Sequence, residues 1–142
     1  MADGFRKALV RRETTQTRVD VELTLEGMGK YMLETPIGFL THMLEAFVQH
    51  GRFNLNLCAE GDLDVDQHHT VEEMGTALGE AFDQALGNRL GINRAGFFVF
   101  PMDDAVAFVA VDLSRRVYLH YDVDFQNDIL GALETAQLQE FF

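Results

Sequence analysis

The chain has 142 residues, enough for one domain with a buried core, and its 47% hydrophobic and 24% charged content is ordinary for a globular protein. Lys and Arg number 11 against 23 Asp and Glu, a formal charge of -12, and the longest basic run is Arg11-Arg12. That balance excludes nucleic acid and anionic membrane as main partners, but leaves room for a small anionic substrate held by a few gathered arginines.

A ragged start over residues 1–8 leads into alternation from Leu9 to Leu25, clearest at Val19, Val21, Leu23 and Leu25, which predicts a half-buried strand. Glu26-Gly27-Met28-Gly29 reads as a turn, with Lys30 to Glu34 returning as the second arm of a hairpin. Thr35-Pro36 then has the chemistry of a helix start, Thr as N-cap and Pro at the first position. Phe39, Leu40, Met43, Leu44, Phe47 and Val48 recur at helical spacing as a core stripe, and His50-Gly51 supplies the stop. His42 falls beside that stripe, where a partly buried, hydrogen-bonded histidine is the ordinary reading. Phe53 to Leu57 is a further strand, and the single cysteine, Cys58, next to it in L-N-L-C-A, reads as packing in a strand and not as a nucleophile. One cysteine excludes an internal disulfide framework and fits a reducing compartment. With no membrane-length apolar run and no signal-like N-terminus, the expected location is the cytoplasm.

The most informative stretch is Gly61 to Glu73, G-D-L-D-V-D-Q-H-H-T-V-E-E. Leu63 to Asp66 alternates like a short strand, and a helix follows with Val71, Met74, Leu78, Phe82 and Ala85 at spacings of three and four, closed by Gly87-Asn88. Helical spacing places Glu72 one turn from His68 and His69, so imidazole nitrogens and a carboxylate converge as in a divalent-metal site. An acidic first helical turn, favoured by the helix dipole, is the competing reading.

Beyond Gly91, Phe97 to Phe100, Ala105 to Leu113 and Arg116 to Phe125 read as strands, and Leu133 to Phe142 as an amphipathic helix. Set side by side, the halves form a repeat: a first unit over about 9–88 and a partial second unit over about 92–142, within one domain. The predicted class is α+β, duplicated sheet-and-helix units with helices packed on one face and the second unit incomplete. Such a chain would present an exposed sheet edge and an apolar face in want of a partner.

Five ordered motifs carry a resemblance over nearly the whole chain: I-G-F-L-T-H-M-L (37–44), the stretch 61–73, L-G-I-N-R (90–94), P-M-D-D-A (101–105) and V-D-L-S-R-R (111–116). Together they closely resemble the imidazoleglycerol-phosphate dehydratase family of histidine biosynthesis. The resemblance implies a ribosomal protein S5 domain 2-like fold and a cytoplasmic lyase that removes water from imidazole glycerol phosphate to give imidazole acetol phosphate. It implies manganese as cofactor, two ions holding the substrate imidazole as imidazolate, and a homo-oligomer, the family forming large octahedral shells with the site between subunits. His42, His68, His69 and Glu72 match family metal ligands, with Glu72 also carried over to the catalytic set. Arg94 and Arg116, otherwise readable as solvated surface arginines, match groups that hold the substrate phosphate. His50 matches a helix-end position near the substrate, and Asp103 and Asp104 an acidic pair with a structural or supporting role.

The departures are as specific. Gln16, in T15-Q16-T17, stands where the family has its acid/base glutamate, and a neutral amide cannot take or deliver that proton. Thr41 and Gln67 replace aspartates beside the ligand histidines, Ala46 replaces a glutamine, and Arg115 and Val117 replace glycine and proline. The family continues with a second His-His-x-x-Glu, so the expectation is a C-terminally truncated form. Three readings result: a dehydratase, a non-catalytic metal-binding or assembly module on the same scaffold, and a fragment of a longer enzyme.

Overall fold

The computed structural model describes residues 4–64 and 66–142. The chain forms two compact units, one of residues 1–87 with 121–142 and one of residues 88–120.

The larger unit is built on a four-stranded sheet of order β1-β2-β4-β3, where β1 is Lys7–Glu13, β2 Thr17–Thr24, β3 Tyr31–Glu34 and β4 Asn54–Gly61. The alternation of β2 puts Val19, Val21 and Leu23 inward with no exposed surface. Register stacks them in layers across the sheet, Val10 opposite Val21 opposite Leu57, and Ala8 opposite Leu23 opposite Leu55. Onto that face pack α1 (Gly38–Gly51), through Leu40, Leu44 and Val48, and α2 (His68–Leu86), through Val71, Met74, Ala77, Leu78, Ala81 and Ala85. The α+β class and the placement of helices on one face follow directly from these two periodicities.

Several local expectations are corrected. The stretch Leu9–Leu25 is not one strand: β1 begins at Lys7, and Thr14 turns the chain, its hydroxyl accepting from the Gln16 and Thr17 amides. Tyr31–Glu34 is not the returning arm of a hairpin with β2, whose two edges are taken by β1 and β4; it runs parallel to β4 on the far edge. The crossing is fixed by Asn54, whose Oδ1 accepts from the Met28 and Lys30 amides. Gly27 lies so close to the Asn54 backbone that a Cβ there would overlap it.

Helix α1 begins two residues after Thr35-Pro36. Ile37 is the N-cap, and Thr35 Oγ1 accepts from its amide and lies 2.7 Å from Thr41 Oγ1. Its left-handed terminating residue is Arg52 (φ 57), not Gly51, which remains helical beneath the Phe53 ring. Leu63 and Asp64, expected to open a short strand, form a turn: Asp62 Oδ1 accepts from the Asp64 amide, and the Leu63 amide bonds back to the Gly61 carbonyl. Val65 lies outside the described residues.

The end of the larger unit contains the hairpin β7 (Ile129–Leu130) and β8 (Leu133–Glu134), then α3 (Gln137–Phe141). The expected helix from Leu133 is thus only its last turn, because Leu133 pairs with Leu130 and is fully buried. The smaller unit is the antiparallel pair β5 (Ala95–Met102) and β6 (Ala105–Asp112), joined by the two-residue turn Asp103-Asp104, with Asp103 at φ 52. Arg116 to Phe125 alternates in sequence but has no ladder partner among the described residues, and is irregular.

Candidate metal centre

The helix carrying the histidine pair starts at His68 itself. Asp66 Oδ1 accepts from the His68 amide at 2.8 Å, a side-chain oxygen serving an otherwise unpaired helix N–H. Thr70 and Val71, only 1% and 0% exposed, turn inward, so residues 68, 69 and 72 are left facing outward on one turn. His68 Nε2 is 3.8 Å from Glu72 Oε2, and the two imidazole rings lie 5.3 Å apart, edge to face. One donor atom from each of His68, His69 and Glu72 falls within 4.8 Å of the others. Two neutral imidazoles and a carboxylate suit a first-row divalent ion, and His69 and Glu72 are exposed enough to close on one.

Glu73 does not share this role. It is held by Arg12 of β1, Nε to Oε2 at 2.6 Å, while Arg12 Nη1 also reaches Glu80 at 2.5 Å. Hydrogen bonding to Glu73, foremost, raises the Arg12 pKa above its ordinary value, so the guanidinium is a permanent clamp between β1 and α2.

Gln16, in the loop between β1 and β2, lies by His69. It lines a small recess with Thr17, Asp62, Asp66, His69 and Thr70, and its carbonyl accepts from the Asp62 amide. Asp62 and Asp66 were not singled out from sequence as part of this recess. Asp66 carried a legible signal, an aspartate two residues ahead of the pair, within reach of a free helix N–H; Asp62 carried none beyond its turn.

His42 is on α1, largely exposed, with Nδ1 3.4 Å from Glu45 Oε2, and is not in the three-residue donor group. His50 is exposed in the last turn of the same helix. Arg94 and Arg116 belong to the smaller unit. Arg94 forks onto Asp112 at the opposite strand end, at 2.6 and 2.8 Å, and this pairing holds the Asp112 carboxyl below the usual range. The Arg116 amide donates to Ser114 Oγ.

Gln67 and Gln137 are the polar contacts that sequence reasoning left unplaced. Gln67 bridges to the backbone of residues 132 and 134, and Gln137 Oε1 is 3.1 Å from His68 Nδ1. Gln137 had no signal, since nothing in a sequence links positions 68 and 137.

Residues 35–142 match the family model of imidazoleglycerol-phosphate dehydratase. The imidazoleglycerol-phosphate dehydratase of Koribacter versatilis is 52% identical over 97% of this chain and 71% of its own length. That of Caldanaerobacter subterraneus is 47% identical over the same shares. Among solved structures, the dehydratase of Staphylococcus aureus superposes with a TM-score of 0.81 at 28% identity, over 94% of this chain and 74% of that one. The Pyrococcus furiosus enzyme gives 0.78 at 34%, over 93% and 69%.

Proposed function

The chain belongs to the imidazoleglycerol-phosphate dehydratase family, and from that premise we propose that its reaction is the family's: loss of water from imidazole glycerol phosphate to give imidazole acetol phosphate in histidine biosynthesis. The observation that carries this reading is the convergence of His68, His69 and Glu72 on one helical turn beside the recess that holds Gln16. We assign the metal as manganese, held by these three residues, with His42 contributed to a neighbouring copy in a homo-oligomer and the protein working in the cytoplasm. A divalent ion bound there supplies Lewis-acid polarisation and a template for the substrate's imidazole. His68 and His69 would bind it as neutral imidazoles, and Glu72 would offset part of its charge. Arg94 and Arg116 are assigned to the substrate phosphate, for which Arg94 must exchange its fork on Asp112 for a second bidentate anion. His50 is assigned to the substrate's surroundings.

Gln16 sets the rate. At the position where the resemblance places a general acid/base, its carboxamide can orient a substrate hydroxyl through a hydrogen bond but cannot carry a proton at neutral pH. Manganese-loaded protein is therefore expected to turn over slowly, and Gln16→Glu to raise the rate by about 10²–10⁴-fold. Product formation is measured directly. No product from either form, with metal bound, would eliminate the dehydratase reading for this chain. That result would favour the second reading, a scaffold that binds metal and imidazole ligands without turnover, which Gln16 alone among the recess residues supports.

A further inference from the structure

The start of α2 is gripped by the end of the chain. Gln67 Nε2 donates to the Ala132 carbonyl at 2.9 Å, and Gln67 Oε1 accepts from the Glu134 amide at 3.2 Å. A carboxylate at this position could accept but not donate, so the double contact needs an amide. One residue on, His68 Nδ1 lies 3.1 Å from Gln137 Oε1. An amide oxygen has no proton to give, so Nδ1 carries the hydrogen and the lone pair is left on Nε2. Nε2 is the atom that faces Glu72.

The gripping segment is firmly seated. Leu133 is fully buried, and Leu138 and Phe141 pack on the core. The Thr135 hydroxyl is bonded to the Asn127 and Asp128 carbonyls. On α2, Gly75 lies under α3 so closely that a Cβ there would run into the Phe141 backbone.

We propose that Gln137 is a positioning residue for the metal centre: it fixes the Nδ1–H tautomer and the ring orientation of His68, with Gln67 anchoring the segment that presents it. The proposal rests on the reading of His68, His69 and Glu72 as metal ligands. Acceptors on the far nitrogen of a ligand histidine typically govern metal affinity by about 10–100-fold.

The test combines ¹⁵N NMR of the His68 ring in metal-free protein, at a pH where imidazole is neutral, with titration by Mn²⁺. Wild type is expected to show the Nδ1–H form. Gln137→Met, similar in length but without the amide, is expected to shift the ring toward Nε2–H and to weaken Mn²⁺ binding about tenfold. Gln137→Glu keeps an acceptor and is expected to retain both the tautomer and the affinity. Gly75→Ala, which displaces α3 while leaving every ligand and Gln137 in the sequence, is expected to act like Gln137→Met. A wild type that binds Mn²⁺ beside a Gln137→Met protein with unchanged tautomer and affinity overturns the proposal alone. A wild type that binds no Mn²⁺ removes the ligand reading and the proposal with it.

Discussion

Neighbouring carboxylates with the same sequence environment have opposite jobs here, and this can be checked by substitution. Glu72 faces the histidines, whereas Glu73 is locked to Arg12. Glu72→Gln removes the one anionic donor of the group and is expected to lower Mn²⁺ affinity by an order of magnitude or more, with little change in stability. Glu73→Gln is expected to leave Mn²⁺ binding intact and to cost about 1 kcal/mol or less in a urea titration, the range for a partly solvated ion pair. Equal loss of metal binding in both would show that the turn is read wrongly. Cys58 gives a pH prediction. Burial, reinforced by Glu34, Glu60 and Asp20, raises its thiol pKa above the ordinary value. The folded protein thus keeps this proton where the unfolded chain has lost it. Alkylation of the native thiol is expected to rise with pH at higher values than in denatured protein, and the cysteine's effect on stability turns unfavourable as pH climbs past the ordinary thiol range. Native and denatured reactivity profiles that coincide would contradict this.

At the scale of elements, β4 ends against the first turn of α2, and the contact leaves no room. A Cβ on Gly61 would collide with the Thr70 side chain, whose buried Oγ1 has no hydrogen-bond partner among the described residues. Gly61→Ala is therefore expected to destabilise by about 1–3 kcal/mol, the usual cost of overpacking. Thr70→Ala costs no hydrogen bond and is expected to recover much of that loss in the double variant; additive effects in the thermodynamic cycle would refute the contact. This junction also shows what the sequence could and could not tell. The inward rows of β2 and α2 were legible because burial of one face imposes a period on the residues themselves. Leu63-Asp64 and Arg116 to Phe125 belong to stretches that alternate just as well, yet the first pair is pinned by an Asp62 side-chain turn and the second finds no ladder partner among the described residues. Pairing is a relation between segments, so the parallel seat of β3 on β4 left no mark on its own four residues. The site was split in the same way. The histidines and Glu72 are neighbours in sequence and were readable, and the resemblance pointed to Gln16. Asp62 and Gln137 reach the centre only through the fold.

The whole molecule has one surface that its own burial pattern leaves unresolved. Every residue of β5 and β6 is exposed, although the pair is made almost wholly of apolar side chains. Phe98 and Phe100 stack on one face, and Phe97 and Phe108, both more than 70% exposed, lie on the other. A two-stranded hairpin is marginal by itself in water, and an apolar patch of this extent normally marks an interface or an aggregation site. The remedies that keep sheet surfaces soluble, charges and prolines along the strands, are reduced here to Pro101 and the terminal Asp112. The overall charge of -12 opposes association, but at physiological salt it is screened within roughly 8 Å, so close apolar contact prevails once surfaces meet. The purified chain is accordingly expected to migrate well above its 16.0 kDa monomer mass in size exclusion, and to bind a hydrophobic dye when diluted. Phe98→Lys with Phe108→Lys places a charge on each face and is expected to shift the population toward monomer without loss of the larger unit's fold, followed by circular dichroism. A wild-type chain that stays monomeric and binds no dye would contradict this expectation.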